Sequence, residues 1–438
     1  MSKGNATILI IGAGADKTMA IEMPLANQLI PEVARFSEKE GKGISDTIKS
    51  FLPQFRFSFN KFIHDAIDSI IKQGENQTQF LIEKLREQEQ NSGIAEDDRK
   101  LARLIIRLLE KIRGIGKESR LDNEIFELVQ EVFGEKLIEK IEDESIIELS
   151  KITFSDSFKT IMRTILKKSL KEFDNQILRI LSSQLLDIEN LLVETFLGFY
   201  NRNTSDIKKY LYISWMLWAY LKFKENTVLS RLKTKNMIPF YSSIPESIRV
   251  ISFNYTTFLS KVRDKNNYLY FHGSLDKYLE MDHRDVLPIE EELSTVEDII
   301  EFLKKYVEGN IDFDNAKYVI PLIIPPLKLK PVLSNEFIEV WYRANEWIEK
   351  AKNLIIVGYS FNYADEHFND IIRKKQGKKI CVINPDAENI MMNLSKIYGF
   401  NPSNYNKISM QGKEAFKCQN IHIVKAKADE INLHELCN

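Results

Sequence analysis

Cysteine is nearly absent from the chain: Cys381, Cys418 and Cys437 are the only three among 438 residues, and no two are spaced Cys-x-x-Cys. Neither a disulfide framework nor a four-cysteine zinc site can be assembled within one chain. Glycine is also scarce, 17 residues against the ~7% usual in proteins, and proline numbers 12, which excludes collagen-like and low-complexity classes. No apolar run approaches the ~18 residues of a membrane span. The run Ile8-Leu9-Ile10-Ile11 is broken by Gly12 and is too short for a signal-peptide core, so the expected compartment is the cytoplasm. Net charge is lacking too: 61 Lys and Arg against 63 Asp and Glu leave -2 and no bulk attraction to a phosphate backbone.

A chain of this length has room for about three domains, or for one domain with a large insertion. Residues 6 to 11 form a short apolar run that ends in Gly12-Ala13-Gly14-Ala15, the pattern of a buried parallel strand entering a glycine turn. From about 40 to 240 the texture is charged and apolar at helical spacing, predicting five to seven helices. One of these is a long helix carrying Ile161, Ile165, Phe173, Ile177, Leu181, Leu185, Ile188 and Leu192 on one face. Strand signals return at 248–253, 268–271, 318–320, 354–357, 379–383 and 421–424, with helix-length segments between the later ones. Such alternation predicts an α/β fold with a Rossmann-like parallel sheet interrupted by a large all-α helical insertion. The expected domains are 1–40 with 240–438, and a helical insertion over 41–239 with a role in oligomerisation or regulation.

Candidate chemistry collects at the predicted strand ends, where open α/β sheets hold their ligands. The turn Gly12-Ala13-Gly14-Ala15-Asp16 is half of a dinucleotide fingerprint, with Lys17 where a third glycine belongs. A tight strand-to-helix turn needs the same glycines. No acidic residue follows a second strand about 20 positions on, which disfavours a hydride-transferring dehydrogenase. Asn254 closes Ser252-Phe253-Asn254-Tyr255-Thr256 and suits a ribose hydroxyl, a reactive water, or the cap of the next helix. His272 precedes Gly273 at another strand end and suits proton transfer or a structural hydrogen bond. Gly358-Tyr359-Ser360-Phe361 and Asn384-Pro385 end two further strands. The cations from Arg373 to Lys379 follow a predicted helix and read as complements of its dipole, so no strong direct nucleic-acid signal is present.

Taken in order, these elements resemble the sirtuin-like superfamily over about half of the chain. Gly12-Ala13-Gly14-Ala15 is similar to its phosphate loop, Met23-Pro24 to the following small element, Ser252 to Thr256 to its catalytic asparagine motif, and His272-Gly273 to its catalytic histidine. Gly358-Tyr359-Ser360-Phe361 with Asp365 resembles the Gly-x-Ser element of bacterial defence members, and Asn384 falls where the family meets the adenosine ribose. Two positions depart from the pattern. Asp16 replaces a serine common after the glycine loop, and Thr256 replaces the aspartate usual two positions after the asparagine.

The resemblance implies an NAD glycohydrolase of antiphage defence, with NAD as substrate and no zinc or other metal site. Asn254 and His272 would be catalytic, and Gly12, Ala13, Gly14, Ala15, Asp16, Thr256, Gly358, Ser360 and Asn384 would bind NAD. It also implies a HerA-type ATPase or a short Argonaute as partner, while the apolar faces of the helical insertion point to a homo-oligomer. The competing reading is a non-catalytic subunit that senses NAD or ADP-ribose within a nucleic-acid-linked assembly.

Overall fold

The computed structural model describes residues 7–25, 28–73, 75–91, 93–113, 123–134, 154–169, 175–186, 188–232, 237–324, 334–361, 365–374 and 377–437. Contacts divide the chain into two compact units, one of residues 1–26, 36–55 and 189–438, the other of 27–35 and 56–188.

The larger unit is built on an eight-stranded sheet. Its strands are β1 (Thr7–Ile11), β2 (Arg249–Ser252), β3 (Tyr268–Tyr270), β7 (Asn353–Val357), β8 (Lys379–Ile383), β9 (Asn406–Met410), β10 (Lys413–Cys418) and β11 (Ile421–Val424), in the order β3-β2-β1-β7-β8-β11-β10-β9. The six from β3 to β11 run parallel, and β10 and β9 complete the sheet antiparallel. Ile8, Ile10, Ile251, Leu354, Ile356, Ile380 and Val382 form its buried core, as expected of parallel strands covered on both faces. The fold is α/β with a mostly parallel sheet. Among the described residues no strand lies between Ile11 and Arg249, and the regular elements separating the neighbours β1 and β2 in sequence are helices.

Three particulars differ from the sequence reading. The predicted strand at 318–320 is β6 (Val319–Ile323), which joins β4 (Gly273–Glu280) and β5 (Asp285–Pro288) in a separate antiparallel sheet. The hairpin β9–β10 was not anticipated, although Gln411 and Gly412 both adopt positive φ, the geometry of a tight two-residue turn. The single long helix is instead α7 (Phe154–Ser169), α8 (Gln176–Leu185) and α9 (Ile188–Phe196). Asn175 starts α8 afresh by accepting the Leu178 N–H at 2.9 Å, a side-chain cap that a continuous helix would have no use for. Phe173 lies outside the described residues.

The helix that matters most to the site is α10 (Thr204–Arg231), capped by Asn203 and buried along Trp215 and Trp218. The indole N–H groups of these tryptophans donate to Val319 O at 2.9 Å and Leu275 O at 3.0 Å, anchoring α10 on the antiparallel sheet. They are core residues. The smaller unit is helical, and within it α4 (Glu75–Glu89), α5 (Glu96–Arg113) and α6 (Asn123–Phe133) pack in series. Leu101, Leu104, Ile105, Leu108 and Ile112 of α5 are buried, the stripe their spacing predicts.

Candidate functional site at the strand ends

The parallel strands end in register, and each hands its neighbour one further backbone bond. Phe271 donates to Ser252 O, Phe253 to Ile11 O, Gly12 to Val357 O, Gly358 to Ile383 O and Asn384 to Val424 O, all between 2.7 and 3.0 Å. The residues just beyond therefore form one row along the carboxyl edge of the sheet. Strand order reverses between β1 and β7, the switch point where ligand crevices open in such folds.

At that switch point the glycines bring two loops into backbone contact. Gly358 sits at φ +63, and a Cβ there would lie 2.4 Å from Ala15 N. A Cβ on Gly14 would lie 2.6 Å from Gly358 Cα. Gly14 N donates to Gly358 O, while Ala15, Asp16 and Lys17 donate to carbonyls of the same turn. These amides are committed within the protein, so the glycines serve loop packing first. Ala13, Lys17 and Ser360 are exposed, and Gly14, Gly358 and Asn384 are half-buried. Asn384 holds its loop by donating to Tyr359 O at 3.4 Å and accepting the Asp386 N–H at 2.9 Å. Thr18, just after the turn, is buried, and its hydroxyl finds no hydrogen-bond partner among the described residues.

On the other side of β1, the site is a buried polar cluster. Asn254 donates from Nδ2 to Gly12 O at 3.1 Å and to the Tyr241 hydroxyl at 3.3 Å. Tyr241 donates to Asp16 Oδ1, and Thr256 donates to Asp16 Oδ2 at 2.8 Å. The two departures from the sirtuin-like pattern are thus partners of each other, a carboxylate and a hydroxyl exchanged between two loops. Asp16 is 4% exposed, and burial lifts its carboxyl to about 7 against the opposing pull of these donors, with the charge of Glu225 adding to the rise. Burial, reinforced by the neighbouring Asp16, holds the Tyr241 phenol well above its ordinary value.

Glu225 enters from α10 and is fully buried. It accepts the Thr257 N–H and, at 3.0 Å, the Thr257 hydroxyl, while Lys222 pairs with its other oxygen at 3.0 Å. Thr257 is the first cap of the short helix α11 (Phe258–Val262), so Glu225 fixes the chain directly after Thr256. Asn254 does not cap α11.

His272 is also buried. Its Nε2 stands 3.1 Å from Asp365 Oδ1, and Tyr359 donates to Asp365 Oδ2 at 3.3 Å. Phe253 meets the ring edge-on with centroids 4.9 Å apart. Gly273 has φ +84, and a Cβ there would fall 1.9 Å from Leu322 O, so the backbone of β4 crosses β6 at a distance only glycine allows. The His272 carbonyl accepts from Ile324 N at 2.8 Å at the same crossing, which fixes the histidine's height above the sheet.

Asn254, Asp16, Thr256, His272 and Asp365 are among the residues singled out by the sequence, which offers no sign of Tyr241 or Glu225. Both come from segments with no strand-end pattern, and Tyr241 belongs to a three-residue helical turn, Tyr241–Ser243. Among the described residues no group of three or more His, Cys, Asp or Glu side chains could hold a metal ion, and no helix is long and apolar enough to cross a membrane.

No family model matches the chain, and no curated protein does. Among solved structures, an ADP-ribose complex of a Sir2 homologue aligns with 17% identity over 54% of this chain and 76% of its own, at a TM-score of 0.33. An NAD complex of a Sir2 homologue aligns with 14% identity over 57% and 78%, also at 0.33, and a further Sir2 enzyme with 18% identity over 43% and 68%, at 0.28.

Proposed function

We propose that the protein is an NAD glycohydrolase, releasing nicotinamide and ADP-ribose, and that it serves antiviral defence by depleting NAD. The observation that carries the reading is the pairing of each candidate catalytic group with a buried carboxyl: Asn254 reaches Asp16 through Tyr241, and His272 meets Asp365 directly. A pocket that only binds has no need of two buried carboxyl groups, whose desolvation costs several kcal/mol unless offset by hydrogen bonds or a charged partner. A site that cleaves a glycosidic bond does need oriented groups, because it must hold a water and a ribose hydroxyl in place while a cationic, oxocarbenium-like centre develops.

In this mechanism the adenosine half lies along Gly358, Ser360 and Asn384, and the pyrophosphate follows the turn from Gly12 to Asp16. The nicotinamide ribose lies between Asn254 and His272. Asn254 Oδ1 accepts from a ribose hydroxyl or the attacking water. His272, oriented by Asp365, takes up the proton released when water adds to the ribose carbon. Nicotinamide leaves with the electron pair of the broken C–N bond, neutral, since its ring nitrogen carried the positive charge.

The test is to incubate the purified chain with NAD and follow free nicotinamide, alone and then with a HerA-type ATPase or a short Argonaute added. Light scattering on the same sample reads the homo-oligomer. Release of nicotinamide supports the enzyme. Saturable NAD or ADP-ribose binding with no release under any of these conditions replaces it with the sensing subunit.

A further inference from the structure

The direction of the Asn254 amide can be read from its partners. A backbone carbonyl only accepts, so the atom facing Gly12 O at 3.1 Å is Nδ2, and the second proton of that nitrogen points to the Tyr241 oxygen. Tyr241 has a single proton, and its partner on the far side is Asp16 Oδ1. Thr256 spends its proton on Asp16 Oδ2. Both hydroxyl donors thus point toward one carboxylate, the Asn254 amide protons are taken by Gly12 O and Tyr241, and Asn254 Oδ1 is left as the acceptor.

We propose that Asp16 is a positioning residue, which acts through Tyr241, alongside Gly12 O, to hold the Asn254 amide with Oδ1 presented to substrate. An ionised Asp16 only accepts, and this permits one arrangement of the chain Asn254 to Tyr241 to Asp16. A protonated Asp16 can donate to Tyr241, whose own proton is then free to turn back toward Asn254. Two arrangements of the Tyr241 proton then compete, and in one of them it opposes Nδ2, leaving the amide held by Gly12 O alone. The charged and titratable groups facing Asp16 are Tyr241 from the turn at 241–243 and Glu225 from α10, the latter paired with Lys222. Because the carboxyl titrates at about 7, the switch between one arrangement and two falls close to neutrality.

The proposal rests on Asn254 meeting substrate, but its decisive measurement needs no turnover. Protein labelled with 15N-asparagine, with the Asn254 side-chain signal assigned by its loss in Asn254→Ser, is titrated between pH 5.5 and 8.5. The expected result is a shift of that signal with one midpoint near 7, absent in Asp16→Asn and at least severalfold smaller in Tyr241→Phe, while Thr256→Val retains it. Should Asp16→Asn fail to fold, Tyr241→Phe decides. A signal that does not move in the wild type, or that moves equally in Tyr241→Phe, overturns the proposal. Titration without nicotinamide release sinks the glycohydrolase reading and leaves the coupling standing; release without titration does the reverse.

Discussion

Both units carry exposed ion pairs, but among the described residues only the sheet unit buries charged side chains. On the helical unit, Arg103 and Glu89 pair at 2.6 Å, Arg107 and Glu124 at 3.2 Å, and Lys100 and Glu131 at 3.3 Å, all with side chains substantially open to solvent. In the sheet unit, Asp16, Glu225 and the His272–Asp365 pair are buried. Exposed pairs of the first kind contribute about 0–1 kcal/mol each and weaken with salt. Buried groups of the second kind cost more than they return unless every partner is in place. Such buried groups are costly for a fold to keep for stability alone, which is why the proposed chemistry is placed at the strand ends.

Removing the chemistry should give the largest effect. His272→Ala and Asn254→Ala are each expected to lower nicotinamide release by about 100-fold or more, the usual range for lost proton transfer or positioning. Loss of a buried partner should lower the melting temperature of each variant while leaving it folded with a cooperative transition, and near-normal turnover in either would remove that residue from the mechanism. Gly273→Ala tests the scaffold beneath them. With φ +84 and Leu322 O in the way, it is expected to destabilise the protein by about 3 kcal/mol, read as a lower urea midpoint.

Asp16→Asn sharpens the comparison through pH. The unfolded carboxyl ionises near its ordinary value and the folded one at about 7, so between those values the folded state holds the extra proton. Wild-type stability on this account falls as pH rises from about 4 to about 7 and levels off above it. The difference in melting temperature between variant and parent should therefore move in the variant's favour over that window and flatten above pH 7. A difference independent of pH would show that Asp16 ionises normally. The smallest effect is reserved for the helical unit: Arg103→Ala should cost less than about 1 kcal/mol, and less still in high salt.

Much of this organisation is legible from local pattern. An apolar run such as Ile8 to Ile11 followed by Gly12, or Ile380 to Ile383 followed by Asn384, announces both a buried strand and what stands at its end. The partners of those ends are not local. Tyr241 reaches Asp16 across 225 positions of sequence, and Glu225 reaches Thr257 across 32 from the middle of a helix whose residues otherwise read as core. The β4–β5–β6 sheet is hidden for a related reason: Asp276, Lys277 and Glu280 interrupt the apolar signal of β4, and the sheet is recognisable only once Trp215 and Trp218 are seen packing beneath it. The continuous apolar stripe from Ile161 to Leu192 concealed a new helix start, which Asn175 supplies from within a polar stretch.

Strand β1 lies between β2 and β7, partners that follow it by about 240 and 345 residues. At a synthesis rate of about 5–20 residues per second, its apolar residues emerge tens of seconds before either neighbour exists. Closing such long loops adds little to the equilibrium cost, since each doubling of length costs only about 0.6 kcal/mol, but it delays the pairing that seats the central strand. The contact of Gly12 with Asn254 therefore cannot form until residue 254 has been made, nor those of Gly12 and Gly14 with Gly358 until about four-fifths of the chain has. The nascent protein carries no complete strand-end site, and Thr7 to Ile11 meanwhile has neither of its strand partners.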